Sequence, residues 1–233
     1  MTESENKPKK ALSAKGEKAR QKLKHAAFEV LDEMGYHDIR IADVTQRAGV
    51  ASGLFYHYFP DLLTLTREVL EDFTANAKQT QKIEQGITKG DWYGRIYAYN
   101  HLVVSSYSEH PGIMRCLLQL ADADKEFSRM LRQGFIEQLS WLTHQMPRLF
   151  PDAGFDQAHG EHQSLLVVYS LSGMAQTLLR DYYINEEPEL RHASLTDDAV
   201  AELLSVIFYR GLFLEHPPAD RLHYTAQLSH MHR

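Results

Sequence analysis

Ile41 to Phe59 reads IADVTQRAGVASGLFYHYF, and its spacing predicts two short helices set across one tight turn. Ile41, Val44 and Ala48 fall at i, i+3 and i+7 and make one buried edge, while Asp43, Thr45, Gln46 and Arg47 point outward. Gly49 ends the first helix, because glycine enters the left-handed backbone of a C-cap without the steric cost of a side chain. Val50 plugs the corner. From Ser52, a good N-cap residue, a second helix sets Phe55 and Phe59 four apart on a core face. Leu54 and Tyr58 fall on another face, free to enter a groove.

This is the spacing of a DNA-binding helix-turn-helix. An α-helix fits the major groove of B-DNA, and in this arrangement the first residues of the second helix reach the base edges. Here they are Ala51, Ser52, Gly53 and Leu54, all small or apolar. The expectation is few direct hydrogen bonds to bases beyond the Ser52 hydroxyl, some contact of Leu54 with thymine methyls, and sequence choice that leans on DNA shape. Tyr56, His57 and Tyr58 carry donors suited to phosphate oxygens, which fix register without reading sequence.

Charge supports a polyanionic partner. Residues 1 to 24 hold eight lysines and arginines against three glutamates, a net of +5 in a chain of formal charge −6, leaving −11 on residues 25 to 233. Positive charge is therefore concentrated where the proposed DNA module begins. Residues 1 to 14 form a basic arm without an apolar face to fold upon, so it is either a DNA-contacting or a merely solvated tail.

With the helix before it, the segment from Arg20 to about Phe73 resembles the tetracycline-repressor (TetR) family of bacterial transcription regulators. A first helix over Glu17 to Met34 stops at Gly35, and Ala48, Gly49, Val50, Gly53, Phe55, Tyr56 and Phe59 match the family's AGVSxGxLYxHF string. The resemblance implies DNA contacts at Arg40, Ala42, Ser52, Gly53, Leu54, Tyr56, His57 and Tyr58, to which Ala51 is added as part of the tip of the second helix. It also implies nine or so helices, a C-terminal ligand domain and a homodimer. Several positions depart from the pattern. Ile39 and Arg40 stand where two threonines are usual, so the customary N-cap hydroxyl is missing and Arg40 is free to reach a phosphate. Ala51 replaces a serine, with Ser52 beside it to restore the cap. Tyr58 replaces a frequent histidine, and Leu62 falls where a lysine commonly touches phosphate.

At 233 residues and 43% hydrophobic content, the chain suits a small module plus a larger one. The boundaries read as a basic arm over 1–14, the DNA-binding module over 15–60, a ligand-binding and dimerisation domain over 61–214, and a tail over 215–233. No run of about 18 apolar residues is present, and no apolar segment follows the basic N-terminus, so a membrane-spanning or secreted protein is not expected. A single cysteine, Cys116, leaves no internal disulfide and suits a reducing cytoplasm.

Beyond Phe73 the period is helical throughout, over Asp61 to about Glu84, Trp92–Glu109, Gly112–Ala121, Lys125–Gln145, Glu161 to about Asn185 and Thr196–Leu214. With three in the module, the chain reads as all-α with nine helices. The last two long helices are the natural dimer surface. One carries Leu165, Val168, Ser172, Ala175 and Leu179 in a stripe, with Ser170, Gly173 and Thr177 in a second stripe of small residues. The other brings Leu204, Ile207, Phe208 and Gly211 over an arc too wide for one partner. Both stripes serving as intrachain core is the alternative.

A small-molecule pocket is expected among these helices, as regulation needs something that shifts the protein off DNA. Tyr99, Asn100, Val103 and Tyr107 lie on the Trp92 helix, with Asn100 set in an apolar stripe. Gln138 occupies the same place on the Lys125 helix. A buried amide must find a protein group, water or ligand. Adding Met114, Trp141 and Tyr169 gives an apolar, aromatic lining for a hydrophobic effector. No cofactor is expected. The close pairs His159 with His162 and His230 with His232 lack the company of cysteine or carboxylate that a zinc site needs. No phosphate-binding glycine loop or nucleophile elbow is present, so the reading is not an enzyme. The competing reading is an all-helical carrier or enzyme whose N-terminal helices never touch DNA. The basic arm favours the regulator. Deleting residues 1 to 14 is expected to weaken DNA binding and flatten its salt dependence; an unchanged affinity at low salt would discard a role for the arm.

Overall fold

The structure is a computed structural model that describes residues 13–77, 86–149 and 160–226, without the side chains of a few helical residues in those ranges. Most of the basic arm, His159, His230, His232 and the side chains of His162, Gln138 and Trp141 lie outside the described residues. Among the described residues the chain is all-α. The helices are α1 Ala14–Met34, α2 Ile41–Ala48, α3 Ser52–Tyr58, α4 Leu62–Ala77, α5 Trp92–Glu109, α6 Pro111–Ala123, α7 Lys125–Leu149, α8 Gly160–Leu179, α9 Pro188–Arg191 and α10 Asp197–Phe213. No described helix is long and apolar enough to cross a membrane.

The helix more than expected is α9, a single turn in a segment read as a break. Pro188 opens it, where a missing N–H costs nothing and the fixed φ suits a helix. The run read as continuing from α8 to Asn185 does so, but Arg180–Ile184 widens into a π turn. Polar side chains set several helix starts. The Ser13, Asp91 and Thr196 side chains accept the N–H of Gly16, Gly94 and Ala199, at 3.2, 2.8 and 3.2 Å.

Two units divide the chain after Glu71. In the N-terminal unit Leu23, Ala26, Ala27, Val30 and Leu31 of α1 are buried with Val44 and Ala48 of α2, Phe55 and Phe59, and Leu65, Val69 and Leu70 of α4. Arg47, on the outer side of α2, pairs with Glu29 at 3.3 Å and Glu33 at 2.5 Å, which ties α2 to α1.

The C-terminal unit is built on α5 and α10. Val104 and Tyr107 of α5 form one core with Ala175, Leu179, Tyr182, Val200, Ala201, Leu204 and Phe208. Gly211 lets α10 approach α8 closely, for a Cβ there would stand 3.0 Å from both methyls of Leu171. Between α5 and α10 the Asn100 amide donates to Ser205 Oγ at 3.1 Å, and Ser205 passes its own proton to the Ala201 carbonyl at 2.6 Å.

The tail is anchored by a carboxylate. Glu202 of α10 is 1% exposed, and its oxygens accept the N–H groups of His223, Tyr224 and Thr225 and the Thr225 hydroxyl at 2.6 to 2.8 Å. Burial alone would raise its pKa, but the four donors outweigh it and hold the carboxyl below its ordinary value. Leu222 packs beside them on Tyr93 and Val206. A folded-state pKa below the unfolded one means that the unfolded chain binds more protons in acid. The anchor's contribution is therefore full above about pH 5 and lost as pH falls through the lowered value. Glu202→Ala strands three backbone donors and is expected to lower stability by about 2–4 kcal/mol at pH 7, with the deficit shrinking in acid. Urea unfolding of both proteins between pH 7 and pH 3 checks this; a constant difference would contradict it.

Candidate nucleic-acid interface

The turn between α2 and α3 is closed by backbone alone. Gly49 sits at φ 60°, ψ 45°, its N–H reaches the Gln46 carbonyl at 3.0 Å, and the Val50 N–H reaches back to Thr45 at 3.0 Å. This paired closure satisfies the Thr45 and Gln46 carbonyls of the last turn of α2 and turns the chain. The start of α2 is held by the Asp43 carboxylate, which accepts the Arg40 backbone N–H at 2.8 Å and leaves the exposed Arg40 side chain uncommitted to the cap.

The start of α3 differs from the expectation. Ala51, not Ser52, is the N-cap, and no side chain caps it. The Ser52 hydroxyl lies instead 3.5 Å from Thr45 Oγ1, whose proton goes to the Ala42 carbonyl at 3.2 Å. Ser52 therefore links the two helices across the turn. At the start of α4, Asp61 accepts the Thr64 N–H at 2.7 Å, and that bond holds its carboxyl below the usual range.

One side of α3 is fully used. Phe55 and Phe59 are buried with ring centroids 5.9 Å apart. On the other side Ala51, Ser52, Gly53, Tyr56 and His57 are exposed, as are Arg40 and Ala42 of the α2 start. Tyr56 is 63% exposed and leans edge-on against Phe55. A Cβ at Gly53 would meet nothing within 4 Å, so the tip of α3 is bare. Leu54 and Tyr58 are half-buried, with His57 stacked edge-on against Tyr58 at 4.8 Å. The surface combines a narrow tip, flanking hydroxyl and imidazole groups, and one guanidinium. Such a set can enter a groove and donate to phosphate oxygens.

Two cations counted toward DNA are engaged elsewhere. Arg20 bonds Glu68, and Lys24, buried, lies 3.7 Å from the same carboxylate. A charge count along the sequence could not see this pairing.

Of the residues expected to line an effector pocket, three pack together and others face elsewhere or lie outside the described side chains. Val103, Tyr107 and Met114 belong to the α5–α8–α10 core, where burial pushes the Tyr107 hydroxyl up to about 12. Asn100 is partnered by Ser205, and Tyr99 is half-buried. Tyr169 was expected inside; it is 46% exposed, its ring 5.9 Å from Phe135.

The stripe expected at a dimer surface also divides. Val168, Ser172, Ala175, Leu179, Leu204 and Phe208 are buried within the chain itself, Leu165 and Ile207 are half-buried, and Gly173 and Gly211 are exposed. The outer arc of α8 carries Leu166, Val167, Tyr169 and Met174, each more than 40% exposed, around Ser170, Gly173 and Thr177. The same helical period marked this face, displaced from the stripe that the core takes.

Residues 23–68 match the family described as "Bacterial regulatory proteins, tetR family". The chain is 37% identical over 59 residues to the HTH-type transcriptional regulator BetI of Escherichia coli K12 / DH10B, over 25% of this chain and 30% of that protein. The match thus spans less than a third of the curated relative. The fold is similar to that of the fatty acid degradation regulator FadR from Bacillus halodurans (TM-score 0.64, 15% identity, 89% of this chain and 100% of the other). It is similar also to a TetR-like transcriptional regulator from Rhodococcus sp. RHA1 (TM-score 0.60, 14% identity, 87% and 98%). At such identities the likeness is one of fold.

Gly49→Ala tests the turn. The added methyl has room, with Lys22 Nζ the nearest atom at 3.8 Å, so the cost is that of a left-handed alanine alone. A loss of about 1–2 kcal/mol in urea unfolding is expected; no loss would mean that the turn is not held in this conformation.

Proposed function

We propose that this chain, a TetR-family protein by its N-terminal domain and its fold, is a cytoplasmic transcriptional regulator that binds a palindromic operator as a homodimer. We assign it a repressor's role, with release by a small, mainly hydrophobic or aromatic effector. The observation that carries the reading is α3: a buried face fixed by Phe55 and Phe59, and an outer face that presents a bare tip with exposed Tyr56 and His57.

Arg40 and Ala42 flank one strand's backbone, Ser52 to Leu54 face the base edges, and Tyr56 to Tyr58 face phosphates. The exposed apolar arc of α8 favours a second copy, since Leu166, Val167 and Met174 exposed on one helix mark an association surface. A twofold axis through that arc is an isologous contact and pairs two recognition helices with two half-sites. That arc replaces the buried stripe as the expected dimer contact. The effector acts by favouring a form in which the two recognition helices no longer match half-sites about one helical turn apart. Linkage then requires that operator DNA weaken the effector by the same factor.

The test is quantitative gel shift on an operator selected by the protein from random duplexes. Arg40→Ala is expected to reduce the salt slope by about 1 and weaken all sequences alike, while Tyr56→Phe, which keeps the ring on Phe55 and removes the donor, weakens binding about tenfold with the melting temperature unchanged. Wild-type affinity in both variants would remove α2 and α3 from the interface.

A further inference from the structure

We propose that Arg20 is a positioning residue for the recognition helix, and that it acts through Phe59 and Glu68 instead of touching phosphate. The assignment rests on the DNA-binding reading above and adds what holds α3 in register. Arg20 projects from α1, donates to the Glu68 carboxylate of α4, and lays its guanidinium over the Phe59 ring at 5.1 Å. Phe59 is the residue that ends α3. One side chain thus joins three helices of the N-terminal unit at the point where the recognition helix leaves the core.

The chemistry of arginine explains the choice. A planar guanidinium bonds a carboxylate at its edge while its face lies on an aromatic ring, whereas an ammonium is a compact point charge with no flat face to stack while it bonds the carboxylate. Glu68 also takes Lys24 at 3.7 Å, so one carboxylate faces two cations, and the Arg20 and Lys24 side chains are only 23% and 9% exposed. Groups so enclosed are poorly placed for a backbone phosphate. Lys15, Lys18 and Lys22 of the same helix are exposed and remain free of that constraint. A recognition surface has to be held within about 0.5 Å of its working geometry. The half-buried clamp on Phe59 meets that need where α3 lacks an N-cap side chain.

Glu68→Gln gives opposite signs for the two roles. It is nearly isosteric and leaves both cations in place. If Arg20 and Lys24 serve phosphates, removing the carboxylate adds net positive charge, so binding tightens and the salt slope steepens. If they serve position, affinity for the selected operator falls about tenfold, the slope stays, and affinity for random-sequence DNA stays, so that the specificity ratio drops. Arg20→Lys keeps the charge and loses the stack, and is expected to show the same loss.

The full chain is compared by gel shift on the selected and the random duplex between about 50 and 200 mM salt, the range over which phosphate contacts register most strongly, with circular-dichroism melting of each variant. Glu68→Gln binding the selected duplex as tightly as wild type, or more tightly, overturns the assignment, as does wild-type affinity and specificity in Arg20→Lys. Wild type that binds neither duplex would instead remove the DNA-binding reading on which it rests.

Discussion

Seven residues of helix contain too few hydrogen bonds to stand alone, so α3 exists because Phe55 and Phe59 are buried against the rest of the N-terminal unit. Burying two phenylalanines contributes about 3–6 kcal/mol. That outweighs the roughly 1 kcal/mol forgone where no side chain caps the helix at Ala51. Because the two rings claim one side, Tyr56 and His57 have nowhere to go but outward. Presentation of the candidate DNA surface follows from that single packing constraint.

The turn serves the same end from the other side. With Gly49 left-handed, the Thr45 and Gln46 carbonyls of α2 are satisfied within the turn, and the Thr45 and Ser52 hydroxyls meet across it. The left-handed Gly49 and the i, i+4 phenylalanines were legible in the sequence, because they follow from local backbone chemistry, whereas Thr45, expected to point outward, is buried. The use of Ser52 was not legible either. Which hydroxyl caps a helix depends on where the helix begins, and one residue decides it. The pairing of Arg20 and Lys24 with Glu68 was equally hidden, since it joins residues more than forty positions apart.

In the C-terminal unit the helical period gave the long helices and most of their bounds but not the single turn α9, while the use of each face had to come from the packing. Val168, Ser172, Ala175 and Leu179 form a stripe that fits either a partner or the chain's own core, and periodicity does not distinguish the two. The core takes them, which leaves Leu166, Val167 and Met174 outside. Asn100 is a related case: an amide in an apolar stripe demands a partner, and only the approach of α10 shows it to be Ser205. The tail could not be read at all, because the Glu202 carboxylate that gathers His223 to Thr225 is some twenty residues away and looks, in sequence, like one polar position in a helix.

The central claim is that a pair of α3 tips, brought together by a twofold axis, enters successive major grooves of DNA. Footprinting of the full-length wild-type protein on a duplex selected from a random pool measures this directly. The account predicts protection over two inverted half-sites with centres about 10 base pairs apart on one face of the duplex. Protection of a single unrepeated site, or none at low salt on any duplex, would contradict it.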